Sequence, residues 1–222
     1  MLKKYSSYLL VINMIYHHFI FFKWYLSDQQ MQIERAFSLG LIAFLSAIIF
    51  ILYIHICFFP KKAANAAHIP TFPPLIMLFS LSLGFLIGIS NLYVLQLYEL
   101  PQFFDIFRSN VLGISVIILS FILINFSIKI FIDNDEDPNP TTQSNVLITD
   151  GIYAYIRNPM YLALTLFQIG VGISLSFIHI SIMAILTVIL LHYFVILREE
   201  KYLLKLFGED YKLYLKKSRR WV

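Results

Sequence analysis

Long apolar runs separated by short polar segments dominate the chain. They cover residues 36–59, 74–95, 111–126 with their flanks, and 160–197. An α-helix needs about 20 predominantly apolar residues to cross the hydrocarbon core of a bilayer. The pattern therefore predicts an all-α protein, a polytopic bundle of transmembrane helices.

The last apolar run, residues 160–197, is nearly twice as long as one membrane span. Small and polar residues interrupt it around residues 174–179, so we expect two helices joined there by a tight turn. Because such a hairpin returns the chain to the side from which it started, its two ends should meet at one membrane face.

Residues 5–26 are apolar and aromatic but also contain polar side chains, and the distribution of charge decides how they are interpreted. The segment after Leu197 carries eight basic residues, which places it in the cytoplasm by the positive-inside rule. Counting back through the spans, Lys3 and Lys4 are also cytoplasmic only if residues 5–26 cross the membrane. The sequence therefore predicts about six spans, with both termini cytoplasmic.

Composition agrees with an integral membrane protein of multiple spans. The chain is 59% hydrophobic and only 14% charged, whereas soluble domains carry about 25% charged residues. The net charge of +4 comes without a basic stripe in a soluble region, so no nucleic-acid partner is predicted. Cys57 is the single cysteine, and no metal site is predicted. The acidic run at residues 133–137 is interpreted as the start of a solvated loop, with a surface divalent ion as the alternative.

The candidate chemistry lies in the last part of the chain. We divide the sequence into N-terminal transmembrane helices, residues 1–132, and a region of polar clusters around the hairpin, residues 133–222. The second region ends in a cytoplasmic amphipathic tail. Since the hairpin ends meet, Arg157 before it and Glu199 after it should be neighbours in space.

These polar clusters have the composition of a site for an amphiphilic ligand. Arg157 could hold a carboxylate through two hydrogen bonds. Glu199 and Glu200 offer counter-charges for an amine or acceptors for ribose hydroxyls. Tyr153 and Tyr161 offer flat faces for an aromatic ring or a sulfonium. Each residue alone would also suit an anchor at the level of the lipid head groups, but the whole set favours a ligand site.

Three motifs around the hairpin resemble a known family. Leu-Ile-Thr-Asp-Gly-Ile-Tyr occupies residues 147–153, Arg-Asn-Pro-Met-Tyr residues 157–161, and Glu-Glu-x-x-Leu-x-x-x-Phe-Gly-x-x-Tyr residues 199–211. Together they resemble the integral-membrane isoprenylcysteine carboxyl methyltransferases and phospholipid N-methyltransferases. The resemblance covers about residues 138–222.

The resemblance implies an S-adenosylmethionine-dependent enzyme that methylates a lipophilic acceptor, such as an isoprenylcysteine carboxylate, at the cytoplasmic face of the bilayer. It implies a role for Arg157, which orders the site or holds a carboxylate. We add Glu200 as a catalytic candidate, because an amine or phenol acceptor would require a base and Glu200 is the nearest one. The residues implied in cofactor binding are Asn145, Val146, Leu147, Ile148, Tyr153, Asn158, Pro159, Met160, Tyr161 and Glu199.

Two departures from the family pattern leave the acceptor open. The eukaryotic carboxyl methyltransferases have histidine at the position of Asn158. They also have an arginine, linked to the prenylated substrate, at the position of Val195. The alternatives are a phospholipid or small-molecule N- or S-methyltransferase, a non-catalytic membrane protein such as a partner subunit or transporter, and a related membrane reductase that uses a nicotinamide cofactor.

Overall fold

The helices follow the apolar runs of the sequence closely. The structure is a computed structural model that describes residues 2–27, 33–60 and 66–221, and no strand occurs among them. The predicted all-α fold is therefore confirmed. The helices are α1 (Leu2–Leu26), α2 (Ile33–Phe58), α3 (Pro73–Ser90), α4 (Asn110–Asp133), α5 (Pro159–Ser174), α6 (Ile178–Ile182), α7 (Ala184–Leu191) and α8 (Leu197–Lys217).

Five of the described helical segments are long and apolar enough to cross a membrane. These are Lys3–Leu26, Ile33–Phe58, Pro73–Leu95, Asn110–Asp133 and the first part of Ile178–Lys217. The first includes residues 5–26, the least certain span of the sequence pattern. A further apolar helix, Pro159–Ser174, has 16 residues and is the first arm of the predicted hairpin. The protein is a multi-pass helical membrane protein.

The hairpin turns where the sequence predicts it. α5 ends at Ser174 and α6 begins at Ile178, and the Phe177 amide donates a hydrogen bond to the Gly172 carbonyl at 2.8 Å across the turn. A methyl group on Gly88 of α3 would lie 2.3 Å from the Phe177 ring. Only glycine at position 88 allows the turn to pack this closely against α3.

An aromatic cluster surrounds the hairpin turn at one end of the bundle. Phe21 of α1, Phe85 of α3 and Phe177 of the turn are all at most 1% exposed. The ring centroids of Phe21 and Phe85 are 4.9 Å apart, in the edge-to-face arrangement that aromatic pairs favour. The end of α1 is therefore part of the bundle core and fixes the turn opposite the polar clusters.

At the other end of the bundle, α8 is interrupted by a sharp bend at Gly208. The φ and ψ angles of Gly208 are 53° and −119°, a conformation that glycine adopts easily and other residues do not. The bend turns the rest of α8 back, so that Tyr211 and Tyr214 are buried. The residues after α8 then lie beside the chain that precedes α5, where the Arg157 amide donates to the Arg219 carbonyl at 2.7 Å.

We expect Gly208→Ala to destabilise the protein through backbone strain alone. A methyl group there would meet no atom within 4 Å, but the positive φ should cost about 1–3 kcal/mol. The measurement is the midpoint of thermal unfolding in detergent, which should fall. Glu209→Ala, at the next and exposed position, is the control and should change it little. Equal midpoints for the two variants would contradict this account of the bend.

Candidate functional site

An open cavity lies where α5 begins and the second arm of the hairpin continues into α8. Its volume is about 870 Å³ including its open mouth. Most of its wall comes from the chain between Asp137 and the start of α5, from the first turns of α8, and from the part of α8 after the bend. Ala67 and Phe131 of α4 complete it.

The cavity brings together eleven of the twelve site residues that the sequence suggests. Asn145 does not line it; its side chain is exposed, although its backbone amide takes part in the loop described below. The residues that line the cavity are Val146, Leu147, Ile148, Tyr153, Arg157, Asn158, Pro159, Met160, Tyr161, Glu199 and Glu200. Their roles in binding and catalysis remain predictions.

A direct hydrogen bond joins the two ends of the hairpin. The Tyr161 hydroxyl donates to Oε1 of Glu199 at 2.6 Å, across 38 residues of sequence. Pro159 occupies the first turn of α5, where its missing N–H leaves no bond unmade. It sets Tyr161 two positions into the helix, on the side of the cavity. The predicted proximity of the two polar clusters is confirmed by this contact.

Glu199 lies just beyond the apolar part of the hairpin. That apolar part ends at Leu197, because four charged residues, Arg198 to Lys201, follow it directly. Burial raises the pKa of Glu199 to about 7, and the negative charge of Glu200 adds to the increase, while the hydrogen bond from Tyr161 opposes it. Glu199 therefore changes its charge near neutral pH.

Glu200 is held by two arginines. Arg220 donates to both of its carboxylate oxygens, at 2.9 Å from Nε and 2.6 Å from Nη2. These bonds raise the pKa of Arg220. Nε of Arg157 lies 3.5 Å from Oε1 of Glu200. The glutamate thus joins the chain before α5 to the last residues of the chain.

Arg157 binds the C-terminal segment. Its Nη1 donates to the Ser218 carbonyl and, at 3.4 Å, to that of Leu215. Nδ2 of Asn158 donates to the Arg220 carbonyl at 3.1 Å. Of the two roles that the sequence suggests for Arg157, these bonds support the ordering of the site.

Glu136 is a structural residue of the site that the sequence interpretation missed. Only 7% of it is exposed, so the expectation that the whole acidic run at residues 133–137 is solvated is wrong. Its Oε1 accepts hydrogen bonds from the backbone amides of Asn145 and Val146, both at 2.9 Å. The chain can bring it there because Asp135 adopts a positive φ of 56°. Glu136 thereby fixes the loop that carries residues 145–148.

Tyr153 forms the floor of the cavity and is 5% exposed. Gly151, with a φ of 55°, starts the short turn that directs Tyr153 against Phe131, and the two ring centroids are 5.5 Å apart. The Tyr214 hydroxyl donates to the Tyr153 carbonyl at 2.7 Å. Burial raises the pKa of Tyr153 far above its ordinary value, so its hydroxyl stays neutral.

Other residues that line the cavity belong to segments that come together only in the folded chain, and the sequence interpretation gave them no role. Tyr202 lies on α8 and its hydroxyl accepts a hydrogen bond from the Ser144 amide at 3.0 Å. The short Pro-Asn-Pro stretch at residues 138–140 also lines the cavity. The sequence could have suggested that Tyr202 and Tyr211 belong to the site, because both follow Glu199 and Glu200 on the same helix. The lining residues without a predicted role include Phe131, Asp137, Pro138, Asn139, Pro140, Tyr202, Leu203, Tyr211 and Tyr214.

Comparison with known proteins agrees with the resemblance drawn from the motifs. Residues 108–210 match the family model of the phospholipid methyltransferases. A 77-residue segment is 34% identical to a protein-S-isoprenylcysteine O-methyltransferase of Schizosaccharomyces pombe and covers 34% of this chain and 32% of that protein. The chain thus matches about a third of the length of this curated relative. No solved structure gives a significant match. The predicted resemblance to membrane methyltransferases is confirmed.

We expect Glu136→Ala to release the loop of residues 144–148. The backbone amides of Asn145 and Val146 lose a charged acceptor, and hydrogen bonds to charged groups contribute about 1.5–3 kcal/mol. Their hydrogen exchange should accelerate by about tenfold or more, as measured by mass spectrometry of the detergent-purified protein. Asp133→Ala, at an exposed position of the same acidic run, should leave the exchange unchanged. Unchanged protection in Glu136→Ala would contradict the role assigned to Glu136.

Proposed function

We propose that this protein is an S-adenosylmethionine-dependent methyltransferase that methylates a lipophilic acceptor at the cytoplasmic membrane face. The observation that carries the proposal is the single cavity that collects eleven of the twelve expected residues from both ends of the hairpin. Its support from comparison is the match of residues 108–210 to phospholipid methyltransferases. The distribution of basic residues supports a cytoplasmic cavity and cytoplasmic termini.

The charge of the cavity suits a cationic methyl donor. Asp137, Glu199 and Glu200 line it together with the guanidinium of Arg157. Glu200 is paired with Arg157 and Arg220, whereas Asp137 and Glu199 take part in no ion pair among the described residues. When ionised, these two carboxylates are available to a cation. S-Adenosylmethionine carries a sulfonium and an ammonium but only one carboxylate, so an acidic cavity attracts it.

Each part of the lining offers a contact that the donor needs. Glu199 can accept hydrogen bonds from the ammonium or ribose hydroxyls of the donor. The rings of Tyr153 and Tyr161 provide aromatic surface, and the loop of residues 146–148 provides backbone groups and apolar contacts. When bound, the cofactor supplies an electrophilic methyl group on its sulfonium.

The residues of the cavity act by orientation and by exclusion of water. The hydrogen bond between Tyr161 and Glu199 holds the two sides of the cavity together. Glu200 binds both Arg157 and Arg220, and these contacts hold the C-terminal segment over the cavity. Aligning the donor with the acceptor lowers the entropic part of the barrier. Because both oxygens of Glu200 already accept from Arg220, the geometry favours a positioning role for this glutamate over proton abstraction.

The acceptor is proposed to enter from the bilayer. The cavity opens where the apolar hairpin ends, so a lipophilic molecule can present its polar end there. A carboxylate acceptor is already ionised at neutral pH and needs no base, which suits the engaged Glu200. In the family, an arginine at the position of Val195 is linked to the prenylated substrate. Val195 is apolar and fully buried in the core, so it offers no such contact.

We expect Glu199→Ala to weaken the binding of S-adenosylhomocysteine by about 10- to 100-fold, since a hydrogen bond to a charged group is worth about 1.5–3 kcal/mol. The measurement is isothermal titration calorimetry of the detergent-purified protein. Glu209→Ala, an exposed carboxylate on the same helix, is the matched control and should bind like the unaltered chain.

Three other outcomes of this titration would each contradict part of the proposal. No heat of binding with the unaltered protein at millimolar ligand would contradict the methyltransferase proposal. Binding of a reduced nicotinamide nucleotide in its place would favour the membrane reductase alternative. Equal binding by Glu199→Ala would contradict the assignment of Glu199.

The affinity for S-adenosylhomocysteine should also rise with pH around neutrality. With a pKa near 7, Glu199 is mostly protonated at pH 6 and mostly ionised at pH 8. If the ionised form binds the ligand ammonium, affinity should increase about tenfold over this interval. Glu199→Gln cannot titrate at this position, so its affinity should not show that increase. The same pH dependence in both proteins would exclude Glu199 as its source.

A further inference from the structure

A second cavity lies beside the first, on the other side of Tyr202. Its volume is about 1290 Å³ including its mouth. Four basic side chains line it, those of His68, Arg198, Lys201 and Lys205, and no acidic side chain does among the described residues. Of its described lining residues, Tyr202 alone also lines the proposed donor site.

The first half of α8 separates its charges between the two cavities. Glu199 and Glu200 face the donor cavity. Arg198, Lys201 and Lys205 are three and four positions apart, which places them on one face of the helix, and they line the second cavity. One helix thus presents an acidic face to one cavity and a basic face to the other.

The basic face is anchored but not neutralised. Nη1 of Arg198 donates to the His68 carbonyl at 2.8 Å, which joins α8 to the chain before α3. Among the described residues, neither Lys201 nor Lys205 takes part in an ion pair, whereas Lys212 beyond the bend is paired with Glu209 at 2.6 Å. The two lysines therefore keep their charge available to an external anion.

We propose that this second cavity binds the head-group phosphate of an anionic phospholipid. The location favours a lipid over a free anion, because the cavity begins one residue after the apolar hairpin ends at Leu197. Ala66 and Leu206 add apolar wall to it, which suits the glycerol and upper acyl chain of a lipid. Basic side chains at this depth attract anionic lipids of the cytoplasmic leaflet.

Lipid binding can be tested without any enzymatic assay, so its outcome is independent of the proposed function. Native mass spectrometry of the detergent-purified protein would count bound phosphatidylglycerol and phosphatidylcholine of equal chain length over a titration. We expect the first phosphatidylglycerol to bind at least about tenfold more tightly than phosphatidylcholine. The difference should shrink as ionic strength rises.

A pair of double variants separates this site from general attraction by basic residues. Lys201→Gln with Lys205→Gln should remove the preference for phosphatidylglycerol. Lys212→Gln with Lys216→Gln changes the same charge at the same spacing on the same helix, beyond the bend, and should keep it. Similar midpoints of thermal unfolding would establish that both variants are folded.

Three results would overturn the proposal. The first is equal affinity for the two lipids in the unaltered protein. The second is an equal effect of the two double variants, which would mean that the basic helix binds lipid without a defined site. The third is displacement of phosphatidylglycerol by inorganic phosphate at millimolar concentration, which would identify a free anion as the ligand.

Discussion

The two ends of one apolar hairpin must leave the membrane at the same face, and the whole candidate site depends on that constraint. It brings Tyr161 within 2.6 Å of Glu199 although 38 residues separate them. The aromatic cluster around Phe177 fixes the turn at the far end, so the register of the two arms is set there. The cavity then lies where the arms end, between a water-filled compartment and the bilayer.

The C-terminal segment completes the site by folding back. The bend at Gly208 reverses α8, and the residues that follow pair with the chain just before α5. Glu200 is thereby held between Arg157 and Arg220. The same helix presents carboxylates to one cavity and basic side chains to the other. This separation suits a cationic, water-soluble donor on one side and an anionic lipid head group on the other.

Sequence alone predicts the parts of the site that depend on local pattern and topology. The apolar runs predict the helices and the turn near residues 174–179. Because the ends of a hairpin lie at one face, they also predict that the segments around Arg157 and Glu199 are close in space. The burial of Glu136 could not be predicted, because it depends on the chain reversing at Asp135 to bring two backbone amides to the carboxylate. The pairing of Arg220 with Glu200 likewise depends on the bend at Gly208, and a terminal run of basic residues gives no sign of it.

The central claim is that both ends of the hairpin form the site for the methyl donor. Ultraviolet cross-linking of the detergent-purified protein with methyl-labelled S-adenosylmethionine, followed by peptide mapping, tests it most directly. We expect label in peptides from residues 137–161 and from residues 199–214, and loss of both when excess S-adenosylhomocysteine is present. Label confined to other helices, or label that S-adenosylhomocysteine does not displace, would contradict the account.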